Sequence, residues 1–111
     1  MNTLHFEGYG YFKTQNTTLF KAIDELKKTI QHEKDLEIDF DMVDLNKHEA
    51  KNELFFVYDS GSYKTNKSTL REAAIELIEF LKTKKINITL EKTTLRDQND
   101  NIIEEVEQFF E

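Results

Sequence analysis

The chain has 111 residues with no cysteine, proline or tryptophan, and 22 acidic against 15 basic side chains give a formal net charge of −7. That length suits one domain (residues 1–111), and the missing cysteines exclude a disulfide framework, a thiolate metal centre and a cysteine nucleophile. The acidic balance argues against coating nucleic acid or anionic membrane, and no apolar run or leader pattern marks a membrane span or export, so a cytoplasmic protein is expected.

In chain order, Leu4, Phe6, Gly8, Gly10 and Phe12 alternate with His5, Glu7, Tyr9 and Tyr11, the period of two of a half-buried strand. Leu19, Ile23, Leu26 and Ile30 then fall at helical spacing, behind Thr17 or Thr18 as a cap. Leu36, Ile38, Phe40 and Met42 alternate with Glu37, Asp39 and Asp41, which predicts a second strand with an acidic outer face. Residues 46–52 read as a turn, and Glu53–Asp59 as a buried strand that Asp59-Ser60-Gly61-Ser62 breaks. Leu70, Ala73, Ala74, Leu77, Ile78 and Leu81 predict a second helix, with Thr69 and Glu72 at capping-box spacing. Ile86, Ile88 and Leu90 begin a fourth strand, running as far as Leu95.

Residues 98–111 read two ways. Ile102, Ile103, Val106, Phe109 and Phe110 fit one helical stripe, the reading preferred here, while LRDQNDNII also resembles a hairpin turn into a strand.

The chain matches itself at an offset of 51 residues. Lys13/Lys64, Thr14/Thr65, Thr18/Thr69, Leu19/Leu70, Ala22/Ala73, Glu25/Glu76 and Leu26/Leu77 are identical pairs. A slip to 50 aligns Leu36/Ile86, Ile38/Ile88, Phe40/Leu90, Asp41/Glu91 and Leu45/Leu95. Each half, about 3–45 and 54–95, thus reads strand–helix–strand. The resulting βαββαβ order resembles the ferredoxin-like α+β sandwich: a four-stranded antiparallel sheet, strands one and three central, two and four at the edges, both helices on one face. The resemblance is to a fold that hosts many functions, and it names no activity.

The repeat assigns Leu4, Phe6, Phe55, Val57, Ile38, Phe40, Ile88 and Leu90 to the helix-covered face. The other face then carries Tyr9, Tyr11, Phe56 and Tyr58 as an aromatic centre, rimmed by Glu37, Asp39 and Asp41. Either the C-terminal segment folds back over these rings, or the face stays open to a partner or a second copy of the chain. Charge is concentrated on the segment from Glu33 to Glu49 and on the C-terminal 14 residues, leaving a mildly basic remainder.

No set of nucleophile, base and orienting group emerges, and the three histidines lack metal spacing. The Glu37/Asp39/Asp41 ladder, with Asp44 or His48, reads as a solvated acidic edge before it reads as a cation site. The repeated Lys13-Thr14 and Lys64-Thr65 pairs suit an anion at each helix start, or simply inherited turns. The expectation is therefore a small acidic non-enzymatic protein without cofactor or metal. It binds another protein through Tyr9, Tyr11, Phe56, Tyr58, Glu37, Asp39, Asp41 and Asp44. An inhibitor or immunity-type protein of phage or mobile-element origin, blocking a basic site, is the specific form. A ligand sensor or small enzyme is the alternative, and RNA binding on the aromatic face a further one that the carboxylates oppose.

Overall fold

Strand, helix and strand recur twice, and a further strand follows, in a computed structural model that describes residues 1–47 and 52–109. The order is β1 (Asn2–Thr14), α1 (Leu19–Gln31), β2 (Leu36–Lys47), β3 (Asn52–Thr65), α2 (Leu70–Thr83), β4 (Ile86–Arg96) and β5 (Ile102–Val106). The strands form one sheet in the order β2-β3-β1-β4-β5, every neighbouring pair antiparallel. Both helices pack on the same face, where Ala22, Leu26 and Ile30 of α1 and Leu70, Ala73, Ala74, Leu77, Ile78 and Leu81 of α2 meet Leu4, Phe6, Leu54 and Phe56.

The repeat is built into hydrogen bonds. Thr18 Oγ1 accepts from Lys21 N, and Thr69 Oγ1 accepts from Glu72 N, so both helices start on the same cap. Thr14 Oγ1 accepts from Asn16 N at 3.0 Å and lies 3.4 Å from Glu25 Oε2. Thr65 Oγ1 likewise accepts from Lys67 N at 3.0 Å and donates to Glu76 Oε1 at 2.8 Å. Three of the seven identical pairs thus serve caps and strand-to-helix clamps, and Ala22/Ala73 and Leu26/Leu77 serve the core beneath them.

Three expectations are corrected. Among the described residues the sheet has five strands, because the C-terminal segment is a strand and not a helix. The deciding feature is a tight turn: Asp97 Oδ1 accepts from Asn99 N and Asn101 N, and Asp100 takes a left-handed φ of 65°. β5 therefore lies beside β4, which is no longer an edge, and does not fold over the sheet. Phe110 and His48 lie outside the described residues.

The Asp59–Ser62 break is also absent, since β3 runs through it to Thr65. Gly61 makes the continuity possible: it is buried opposite Phe6, and a side chain there would enter the Phe6 ring.

The third correction concerns the faces of β3. Asp59, Asp41 and Glu91 are extra residues in β3, β2 and β4, skipped by the pairings at one level of the sheet beside Gly8. Gly8 itself adopts φ +154°, and a side chain there would collide with the Thr89 carbonyl. Each bulge reverses the side-chain alternation beyond it, since strand side chains have a period of two. The 51-residue offset holds for Thr14/Thr65 on one side of the β3 bulge. On the other side it slips to 50, so Leu54, Phe56 and Tyr58 point at the helices, in line with Leu4, Phe6 and Gly8.

Candidate partner-binding face

The face turned away from the helices is built from the odd residues of the second half of β1 and their cross-strand neighbours. Tyr11 stands opposite Phe55 and Tyr9 opposite Val57. The Phe55 ring lies 5.3 Å from Tyr11 and 6.1 Å from Tyr9, centroid to centroid. Tyr11 is 38% exposed; Tyr9, Phe55 and Val57 are half-buried by one another and by the strands. No helix crosses this face among the described residues, and β5 lies beside β4 at the end of the sheet. On one flank, β4 supplies Asn87 opposite Tyr11 and Thr89 opposite Tyr9. On the other, β2 supplies Asp44 opposite Phe55, Asp39 opposite Ser60 and Glu37 opposite Ser62, all exposed. Asp41 is exposed at the β2 bulge.

Of the eight residues expected from the sequence, the structure brings Tyr9, Tyr11, Glu37, Asp39, Asp41 and Asp44 to this side of the sheet or its rim. Phe56 and Tyr58 are misplaced by that expectation: they are 0% and 1% exposed and belong to the core. Phe56 meets Phe40 edge-on at 5.2 Å, and Tyr58 meets Phe6 edge-on at 5.4 Å. Tyr58 donates its hydroxyl to the Thr89 carbonyl at 2.9 Å. Burial, followed by the negative charge of Glu91, pushes that hydroxyl well above the ordinary tyrosine range. Phe55 and Val57 take the vacated places. The signal that would have found them is the DSGS segment read as a bulge instead of a break, because one added residue exchanges the two faces.

The rim carries both signs. Lys13 lies opposite Glu53 at one end of the aromatic row, and Glu7 lies opposite Lys92 at the other. Among the described residues no three His, Asp or Glu side chains converge as a metal site requires. Thr14 and Thr65 are buried in their clamps with Glu25 and Glu76, which gives the threonines of the repeated Lys-Thr pairs a structural role. None of the described helices is long and apolar enough to cross a membrane. No family model, no curated protein and no solved structure matches the chain.

Proposed function

We propose that the chain is a small non-enzymatic binding protein that grips another protein with its open sheet face, in the manner of an inhibitor or immunity protein covering a basic site. The observation that supports this is the uncovered row Tyr9–Phe55–Tyr11, with Asp44, Asp39 and Glu37 on the neighbouring strand. Such an arrangement has the anatomy of an interface: an aromatic centre that gains from desolvation and a charged rim that steers a basic partner. On this reading the first four strands and two helices form a ferredoxin-like βαββαβ unit, with the order β2-β3-β1-β4 all antiparallel, and β5 is an addition to it.

The test is capture of the partner from the native cell at low and high salt, with wild type, Tyr11→Ser/Phe55→Ser and Asp39→Lys/Asp44→Lys. A stoichiometric partner lost in both double variants and weakened by salt is expected. Retention by both variants removes the proposal.

One observation favours a second reading. Tyr9, Tyr11 and Phe55 sit on the two central strands, where single-stranded RNA-binding sheets stack bases. The β2 carboxylates repel phosphate, so this reading needs a nucleic acid held away from β2; tight binding of an RNA oligonucleotide, abolished by Tyr11→Ser, would replace the protein-partner proposal.

A further inference from the structure

The two ends of the sheet are unequal. β5 closes one of them. Glu104 Oε1 of β5 accepts from Leu70 N at the start of α2 at 3.2 Å, and Val106 and Phe109 pack on the core. At the other end β2 is the last strand among the described residues, and α1 overhangs it. Leu19, the repeat counterpart of Leu70, is 41% exposed, and Phe20 beside it is 80% exposed. Phe20, Ile23 and Lys27 share one side of α1 by helical spacing, and Ile23 is only half-buried. Towards the other end of α1, a groove of about 730 Å³ runs between the helix and β2, lined by Lys27, Ile30, Leu36, Ile38 and Phe40 among others. Val43 and Leu45 of β2, which point to the helix side, are likewise half-buried.

The repeat shows what fits there. Asp41 and Glu91 are equivalent bulges, 50 residues apart, so residues 43–46 of β2 correspond to 93–96 of β4. Those β4 residues are the ones that pair with β5, antiparallel, over Thr93–Arg96. We propose that the free edge of β2 at residues 43–46, roofed by Leu19, Phe20 and Ile23, takes an extended segment of another protein as a sixth strand, one whose apolar residues alternate with lysine or arginine. The proposal rests on the reading of the chain as a protein-binding module, but it uses the sheet's edge and not its open face.

The alternation follows from the two sides of β2. Side chains of an added strand on the helix side would meet Val43, Leu45 and the exposed apolar flank of α1. Those on the opposite side would stand next to Asp44, with Asp39 and Glu37 further along. Backbone pairing supplies the affinity and the alternating side chains the selectivity. A second copy of this chain does not meet the requirement. Its two sheet edges are β2 with Glu37, Asp39 and Asp44 and β5 with Glu104 and Glu105, so either would bring carboxylates against carboxylates.

The test uses the full chain and a fluorescent nine-residue peptide alternating lysine and valine, with a glutamate–valine twin. The expected result is salt-sensitive binding of the basic peptide alone, with slowed amide exchange at residues 43–46. Affinity should drop about tenfold or more in Asp39→Lys/Asp44→Lys and in Phe20→Lys, and stay unchanged in Tyr11→Ser/Phe55→Ser. Phe20 is solvent-exposed, so Phe20→Lys leaves the fold intact. Equal binding of the acidic twin, or protection that falls on β5 or around Tyr9 and Phe55 instead of β2, overturns the proposal, as does no binding. Loss of the native partner in the open-face variants with peptide binding retained, or the reverse, separates failure of one site from failure of the other.

Discussion

Leu19 and Leu70 occupy the same place in two copies of one motif, each the residue after a threonine cap, yet one is 41% exposed and the other 1%. The contrast continues along the helices, where half-buried Ile23 answers buried Ala74 and exposed Lys27 answers buried Ile78. The cause lies outside the helices. α2 is flanked by a strand beyond β4, whereas α1 overhangs the last strand of the sheet. Burial of a helix flank is thus decided by whether the sheet extends past the strand it covers, and the side-chain choices at equivalent positions have followed.

Removing residues 98–111 is the strongest way to break this contrast, because it makes the second half resemble the first. The loss should be about 3 kcal/mol, from the half-buried Val106 and Phe109 and the Glu104 bond to Leu70 N, with a rise in binding of hydrophobic dye. Unchanged denaturant midpoint and dye signal would show that β5 contributes nothing to α2. The paired substitutions Leu70→Ala and Leu19→Ala come next: about 3 kcal/mol for the buried leucine and under about 1 for the exposed one, by chemical denaturation. Equal costs would mean that Leu19 is covered in solution.

The clamps give a smaller difference. Glu76 accepts from Tyr63 and Thr65 at 2.8 Å each, whereas Glu25 accepts from Asn16 at 2.8 Å and lies 3.4 Å from Thr14. Glu76→Ala should therefore cost about 2 kcal/mol and Glu25→Ala about 1.

The smallest effect is a pH dependence. Burial raises the hydroxyls of Tyr58 and Tyr63, aided by Glu91 for the first and by the Glu76 hydrogen bond for the second. An unfolded tyrosine ionises near 10.0, and the folded ones keep their protons to higher pH. Above pH 10 the unfolded chain thus binds fewer protons, and stability falls as pH rises; below it these groups contribute no slope. Tyr63→Phe, which copies Phe12 of the first half, should flatten part of that fall in a series of urea midpoints.

The two helices, their threonine caps and the order of the first four strands were legible because each rests on a local period or a local hydrogen bond. The repeat also marked Thr14/Thr65 and Glu25/Glu76, although their use as clamps needed the fold. What was not legible depended on single residues. One bulge at Asp59 exchanged the faces of Leu54–Tyr58, which moved Phe56 and Tyr58 into the core and Phe55 and Val57 out of it. Likewise, Ile102–Val106 fits a helical stripe as well as a strand, and the side-chain bonds of Asp97 decide between them.

The row of Asp41, Asp59 and Glu91 also limits how this chain can change by descent. Each works as a one-letter shift in the phase of its strand, and the three shifts agree with one another while β1 runs through unshifted. Loss of Asp41 alone would set Phe40 two positions from Val43, so Leu36, Ile38, Phe40, Val43 and Leu45 would stay on the helix side of an unbroken strand. Loss of any one of the three removes a kink without turning its strand over, whereas a residue gained or lost elsewhere in these strands exchanges the faces beyond it. A lineage of such proteins is therefore expected to accept single-residue deletions at this level of the sheet and to refuse them elsewhere in the strands.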